Sequence, residues 1–218
     1  MYKRQGLTIR AETCPQYLVL TEEDMKGLNM EGAKYVCSPP PRDKASQQAC
    51  WEGLKTGVFT LFSSDHCPFR YDDTQGKLAP KGRTSFRWVP NGIPGVAARL
   101  PILFSEGVSK GRIDINTFVA VTATNHAKTY GLYPRKGTIA VGSDADIAIW
   151  DPKKTMTISN ANQHHGADYT PYEGIKVKGW PVLTMVRGAI VMKDGALVSE
   201  RPMGSYQKRG RSGIVAGG

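Results

Sequence analysis

The fold of this 218-residue chain is decided by the stretch Phe59-Thr60-Leu61-Phe62-Ser63-Ser64-Asp65-His66-Cys67-Pro68-Phe69. Its first half is apolar and rich in residues that favour β-strands, and Pro68 then prevents further strand pairing. In a parallel α/β barrel the reactive side chains lie at the carboxyl ends of the strands, so Asp65 is the first candidate for a catalytic residue. An aspartate that forms a turn or caps a helix would give the same local pattern, so the surrounding sequence has to decide between the two interpretations.

The sequence on the amino-terminal side of this stretch alternates between strands and helices. We predict three strands: one over residues 7–13, one over residues 34–37, and the strand after Gly57 that leads to Asp65. The pattern Thr21-Glu22-Glu23-Asp24 resembles a capping box that opens a short helix, and Asp43 is predicted to cap a second helix that ends near Lys55. Such alternation with short connections favours parallel strands in an α/β sheet or barrel. Because a closed barrel needs eight strands, we expect this chain to begin partway through such a fold.

The hydrophobic period changes near Gly131. Before it, a polar loop over residues 70–94 leads into three predicted helices, over residues 96–104, 114–121 and 124–130, with a kink expected at Pro101. After it, we predict five short strands, over residues 138–141, 147–150, 156–158, 183–186 and 190–192. The second region is therefore predicted to be an antiparallel sheet domain.

The formal net charge of +10 does not by itself indicate a nucleic-acid-binding protein, because the 29 Lys and Arg residues are spread along the chain. We favour a solvated basic surface and expect no nucleic-acid partner. The one local cluster of basic residues, over 201–211, lies among Gly and Ser residues and predicts an extended, mobile or partner-bound arm.

Neither a signal peptide nor a membrane span is predicted, because the amino-terminal residues lack the apolar run of a leader. The cysteines have no C-x-x-C spacing, which argues against a zinc ribbon or a disulfide framework and favours reduced thiols: Cys14, Cys37, Cys50 and Cys67. We therefore expect a cytoplasmic protein with no membrane partner.

A series of motifs, in order along nearly the whole chain, resembles the dihydropyrimidinase and hydantoinase family of cyclic amidohydrolases. The motifs are Glu12-Thr13-Cys14-Pro15-Gln16-Tyr17-Leu18, Cys37-Ser38-Pro39-Pro40, Ser64-Asp65-His66-Cys67-Pro68-Phe69, Asn91-Gly92-Ile93-Pro94-Gly95, Gly131-Leu132-Tyr133-Pro134-Arg135-Lys136-Gly137, Val141-Gly142-Ser143-Asp144-Ala145-Asp146-Ile147, His164-His165, Asp168-Tyr169 and Pro171-Tyr172-Glu173-Gly174. Any one of them alone would be a weak signal, but their ordered succession makes chance unlikely.

The resemblance implies a metal-dependent barrel that opens a cyclic amide at a two-zinc centre bridged by a carboxylated lysine and a hydroxide. It implies that Asp65 is a metal ligand and the group that moves the proton to the leaving nitrogen, a role that suits a carboxylate. It also implies that Ser38 and Asn91 bind the substrate ring, although both positions could be plain turns. The resemblance further implies a role in pyrimidine catabolism and a homotetramer. We interpret His66 as local hydrogen-bonding support and Cys67 as pocket wall.

The departures from the family pattern limit what this chain can do alone. The family's metal site also needs a His-x-His pair, a lysine and two further histidines, and the histidines present cannot replace them: His66, His126, His164 and His165.

We predict that residues 1–132 are the carboxyl-terminal part of an α/β barrel, residues 133–200 part of a β-sandwich, and residues 201–218 a basic extended tail. The isolated chain is expected to be inactive without the missing amino-terminal half. A non-catalytic scaffold or assembly protein is the alternative, and the sequence does not decide between a hydantoin and a dihydropyrimidine as the natural ring.

Overall fold

The strand that ends before Asp65 lies beside the first strand of the chain. Strand β1 (Glu12–Thr13) pairs in parallel with strand β2 (Leu61–Phe62). The computed structural model describes residues 9–72, 74–199 and 201–213. The strand predicted over residues 7–13 is confirmed at its end, while residues 7 and 8 lie outside the described residues. The parallel pairing that the α/β alternation predicts is confirmed.

The connection from β1 to β2 is mainly helical. It contains helix α1 (Pro15–Val19), two 3-10 helices (Glu22–Lys26 and Glu31–Tyr35) and helix α2 (Lys44–Lys55). Both predicted helix starts are confirmed. The Asp24 carboxylate accepts a hydrogen bond from the backbone amide of Thr21 at 2.7 Å, and the Asp43 carboxylate accepts one from the amide of Ser46 at 2.8 Å.

The prediction of a strand over residues 34–37 is wrong. Residues 34 and 35 end the second 3-10 helix, and the amide of Val36 donates back to the carbonyl of Ala33 at 3.3 Å. The prolines that follow at positions 39 and 40 have no amide hydrogen to give to a ladder. Among the described residues the parallel sheet therefore has two strands, and the incomplete barrel stays a prediction.

The helices predicted after the long loop are present with different boundaries. Helix α3 (Arg99–Leu103) continues as a π-helix over Phe104–Ser109, and Pro101 lies in the first turn, where a missing amide hydrogen is tolerated. Helix α4 (Ile115–Val119), a π-helix (Ala120–Thr124) and helix α5 (Asn125–Thr129) follow one another without a break. The helices predicted over 114–121 and 124–130 are therefore one continuous run that passes through a π-helical turn.

The antiparallel sheet predicted for the second region is confirmed. Its strands lie in the order β3 (Ile147–Thr157), β4 (Lys176–Val186), β5 (Ala189–Lys193) and β6 (Ala196–Leu197). The strands predicted over 147–150 and 156–158 are two ends of β3. The strand predicted over 138–141 is absent, and Ile139 and Val141 are exposed there. Within the described residues this is a single antiparallel sheet, so the sandwich also stays a prediction.

The helices and the antiparallel sheet share their hydrophobic core. One cluster of buried side chains includes Trp51, Phe62, Phe104 and Phe118, with Trp150 of β3 packed against it. The rings of Phe104 and Trp150 stack with their centroids 4.9 Å apart. A second cluster includes Leu20, Ile93, Ile102, Ile158, Tyr172 and Val177. The domain boundary near residue 132 stays a prediction, and these contacts pack the two regions against each other.

The basic tail lies against the end of α5. In the described part, residues 201–213, there is neither helix nor strand. The amide of Gly210 donates to the carbonyl of Gly131 at 2.8 Å, and the amide of Gly213 donates to the carbonyl of Lys128 at 2.7 Å. These backbone hydrogen bonds hold the described part of the tail to its own chain, and the extended tail over residues 201–218 stays a prediction.

Across the described ranges, every helix is too short or too polar to cross a bilayer.

Replacement of Gly179 tests the contact between β4 and the helices. Gly179 has a φ of +95°, and a β-carbon there would lie 2.1 Å from the Phe104 ring. We expect Gly179→Ala to lower the free energy of unfolding by about 2–4 kcal/mol, because backbone strain and overpacking add. Gly142→Ala is the matched control, since Gly142 has a φ of +90° with open space around it. Denaturant unfolding followed by circular dichroism measures both, and equal losses in the two variants would contradict the packing described here.

Candidate active site

Asp65 stands in a strained and exposed position directly beyond the parallel sheet. It follows β2 after two serines, its φ is +46°, and its side chain is exposed. Non-glycine residues with such a φ are uncommon and cluster at functional sites. In the described part of the chain its carboxylate accepts no hydrogen bond, so it is available to a ligand.

Two buried thiols near Asp65, those of Cys14 and Cys37, have raised pKa values. Burial raises the pKa of Cys14 to about 11, the hydrogen bond with Ser63 opposes this rise, and the Asp65 carboxylate adds to it. Burial also raises the pKa of Cys37 to about 11, with Lys77 opposing and Asp65 adding to the shift. Because the thiolate is the nucleophile, these protonated cysteines do not suit covalent catalysis near neutral pH.

Ser38 and Asn91 lie on the wall of one cavity. The cavity has a volume of about 480 Å³ and is otherwise lined by Met25, Gly32, Val36, Cys37, Pro40, Phe86, Arg87 and Val89. The structure thus brings together the two predicted ring contacts, whereas Asp65 does not line this cavity. The Tyr17 hydroxyl donates to the carbonyl of Pro39 at 3.1 Å and holds the Ser38 loop against α1. The roles of all three residues stay predictions.

The segment from Asn91 to Ile93 connects the loop of Ser38 with the loop of Asp65. The amide of Gly92 donates to the carbonyl of Val36 at 3.1 Å, and the amide of Cys67 donates to the carbonyl of Ile93 at 3.1 Å. Gly92 has a φ of +149°, and a β-carbon there would lie 2.7 Å from the carbonyl oxygen of Cys67. Only glycine permits this close approach of the backbones. Cys67 therefore packs against this segment and does not line the cavity.

His66 supports the same region through its ring. Its Nδ1 accepts hydrogen bonds from the amides of Gly95 at 3.0 Å and Val96 at 3.3 Å, so the ring hydrogen is on Nε2. Burial lowers the pKa of His66, which favours this neutral form. The His66 ring lies 6.0 Å from that of His165. The geometry agrees with the interpretation of His66 as local hydrogen-bonding support.

The segment between β3 and β4 braces the loop that follows Asp65. The Asp168 carboxylate accepts hydrogen bonds from the amides of Tyr71 at 2.6 Å and Asp72 at 3.1 Å. Tyr172 is fully buried, and its hydroxyl donates to Gln16 at 3.5 Å. The motifs at 168–169 and 171–174 are part of the resemblance, but their sequence indicates no role for Asp168.

Sequence reasoning also missed Lys77. This lysine is fully buried, and its ammonium group donates to the carbonyl oxygens of Val36 at 2.8 Å and Pro90 at 2.7 Å. Its neighbours in sequence form a polar loop, so no periodic pattern distinguishes it from the exposed lysines around it.

The described residues do not form a metal site by themselves. No three His, Cys, Asp or Glu side chains among them are placed to hold one ion. A catalytic zinc normally takes three protein ligands and a water, so Asp65 alone does not fit such an ion. His66 adds little, because its Nδ1 is already occupied by the two backbone amides.

Comparison with known proteins gives consistent matches. A model of the amidohydrolase family matches residues 18–191. The chain is 44% identical over 207 residues to a D-hydantoinase of Rhizobium radiobacter and 46% identical over 213 residues to a D-hydantoinase of Geobacillus stearothermophilus. These alignments cover 95% and 98% of this chain and 44% of each relative. The chain therefore spans less than half the length of these relatives.

Solved structures show the same similarity. A crystal structure of a D-hydantoinase matches with a TM-score of 0.92 and 46% identity, over 97% of this chain and 45% of that chain. A dihydropyrimidinase from Brevibacillus agri matches with a TM-score of 0.85 and 45% identity, over 90% of this chain and 42% of that chain.

Removal of the Asp168 charge tests whether this carboxylate holds the backbone of Tyr71 and Asp72 in place. Burial raises the pKa of Asp168, but the backbone hydrogen bonds from Tyr71 and Asp72 outweigh it and hold the pKa below its ordinary value. We expect Asp168→Asn to cost about 1–2 kcal/mol of unfolding free energy, because a neutral amide offers only one acceptor oxygen. Asp151→Asn is the control, since the Asp151 carboxylate accepts hydrogen bonds from the amides of Lys153 and Lys154, which lie in the sheet region.

The lowered pKa of Asp168 makes its contribution to stability depend on pH. The stability that Asp168 contributes is present above its unfolded pKa of about 3.9 and is lost as the pH falls through the lower folded pKa. Amide exchange at residues 71 and 72 should speed up in Asp168→Asn and stay unchanged in Asp151→Asn. Unchanged exchange in Asp168→Asn would show that Asp168 does not hold these two amides.

Proposed function

Because this chain belongs to the amidohydrolase family, we propose that it forms part of an enzyme that hydrolyses the cyclic amide bond of hydantoins or dihydropyrimidines. The relatives named above are D-hydantoinases and a dihydropyrimidinase. The observation that carries the proposal is the common cavity of Ser38 and Asn91, whose backbone is tied to the Asp65 loop through Gly92 and Ile93.

The cavity suits the edge of a small cyclic amide. Such a ring presents amide N–H donors and carbonyl acceptors, and the Ser38 hydroxyl and the Asn91 amide can each donate and accept. A volume of about 480 Å³ lies within the ordinary range of small-molecule sites. Apolar neighbours such as Met25 and Val89 cover much of the remaining wall, to which Arg87 adds one charged side chain.

Asp65 is proposed to move the proton in ring opening. As a water molecule adds to the ring carbonyl, the carboxylate takes one proton from it. When the carbon–nitrogen bond breaks, Asp65 returns that proton to the leaving nitrogen and is ionised again. The exposed carboxylate, without a hydrogen-bond partner among the described residues, is consistent with this role.

Several features of the complete enzyme are part of the proposal. They are the α/β barrel, the two zinc ions with Asp65 as the ligand from this chain, the homotetramer and the cytoplasmic location. The remaining metal ligands would come from outside the described residues, because these residues alone do not fit the ions. The isolated chain is therefore proposed to be inactive.

Complementation tests this proposal. The purified chain with zinc should hydrolyse neither hydantoin nor dihydrouracil above background. Mixed with the amino-terminal part of the Geobacillus stearothermophilus D-hydantoinase, it should recover activity, and Asp65→Ala should lower the recovered rate by about 10²–10⁴-fold, since a positioned proton-transfer group is lost. Substrate loss is followed by chromatography.

Asp194→Ala is the matched control, because Asp194 is also exposed and also has a positive φ, of +50°. It should leave the recovered rate unchanged. Turnover by the isolated chain, or recovered turnover that survives Asp65→Ala, would contradict the assignment. A well-folded assembly without any turnover would instead favour the scaffold alternative.

A further inference from the structure

Lys77 joins the two loops that carry the proposed ring contacts. Its ammonium donates to the carbonyl of Val36, two residues before Ser38, and to the carbonyl of Pro90, directly before Asn91. Both hydrogen bonds are short and charge-assisted. One side chain therefore fixes the separation of two backbone segments that are distant in sequence.

Among the described residues, no carboxylate provides a counter-charge to Lys77. The titratable groups that act on it are the thiols of Cys37 and Cys67, and the ring of Phe69 lies with its centroid 5.9 Å from the ammonium. Among the described carboxylates none forms an ion pair with Lys77. A buried charge is costly unless it is well bonded, so a lysine that acted only as filler would be replaceable by an apolar side chain.

We propose that Lys77 is a positioning residue that sets the spacing of Ser38 and Asn91 across the cavity. This inference rests on the proposed function only in so far as these two residues contact the substrate. Lys77 does not line the cavity, so it acts through the two loops.

The pH dependence of the loops follows from the burial of Lys77. Burial lowers the pKa of Lys77 to about 8, and the two thiols oppose this shift. When the loops open, water reaches the lysine and its pKa returns to about 10.4. Between these two values the open form binds more protons, so the closed form gains stability as the pH rises through this window.

Hydrogen exchange of the Gly92 amide measures the spacing directly, because this amide donates to the Val36 carbonyl. In the 218-residue chain, we expect Lys77→Met to speed its exchange at least tenfold at pH 7, and Lys77→Arg to restore most of the protection. Lys81→Met is the matched control, since Lys81 belongs to the same loop and is exposed. Unchanged exchange in Lys77→Met, or an equal effect of Lys81→Met, would overturn the proposal.

A titration of the wild-type chain avoids reliance on variants that fold poorly. The carbonyl ¹³C resonances of Val36 and Pro90 should titrate with the same midpoint as the Lys77 side chain, near pH 8. Carbonyl resonances that stay constant while Lys77 titrates would overturn the proposal.

Addition of hydantoin to the chain assembled with the amino-terminal part of the Geobacillus stearothermophilus D-hydantoinase separates this inference from the proposed function. If Lys77→Met loosens Gly92 but millimolar hydantoin shifts no resonance of Ser38 or Asn91 in the wild-type assembly, the positioning role stands and the proposed binding site fails. If hydantoin shifts these resonances and binds Lys77→Met as tightly as the wild type, the proposed site stands and the positioning role fails.

Discussion

The geometry of the candidate site depends on one backbone contact. At Gly92 the chain approaches the Asp65 loop so closely that a β-carbon would overlap Cys67, and the Gly92 amide meanwhile donates to Val36. The segment around Gly92 therefore holds the loops of Ser38, Asp65 and Asn91 at fixed distances from one another, although these loops come from separate parts of the sequence. Without this contact, Ser38, Asp65 and Asn91 would each stand on an exposed loop with little to define their relative positions.

The contact is stable because both structural regions support it. Ile93 is fully buried in a cluster with Ile158 and Tyr172, which belong to the sheet region. The Asp168 carboxylate holds the loop after Asp65 by accepting hydrogen bonds from two of its backbone amides. The antiparallel sheet thus contributes to the site without placing a side chain on the cavity wall, and rigid support of this kind is what a precise binding site requires.

The features that local sequence determines could be predicted. The caps at Asp24 and Asp43 depend on residues three positions apart, and β3, β4 and β5 each contain a short run of strand-forming residues, so both features were visible in the sequence. The failures have a common cause in tertiary structure. Residues 34–37 have strand-like composition, but the carbonyl of Val36 accepts hydrogen bonds from the Lys77 ammonium and the Gly92 amide. Lys77 and Asp168 act on partners far away in sequence, so no local pattern could reveal them.

We propose that Asp65, Ser38 and Asn91 face one ring once the site is completed by the amino-terminal part of the enzyme. A crystal structure of this chain assembled with the amino-terminal part of a D-hydantoinase and soaked with hydantoin would show this arrangement. The polar edge of the ring is expected to contact Ser38 and Asn91, and an Asp65 carboxylate oxygen is expected within hydrogen-bond reach, about 2.6–3.2 Å, of the reacting groups. A ring bound elsewhere, or bound in this cavity with Asp65 directed away from it, would show that these three residues do not form one site.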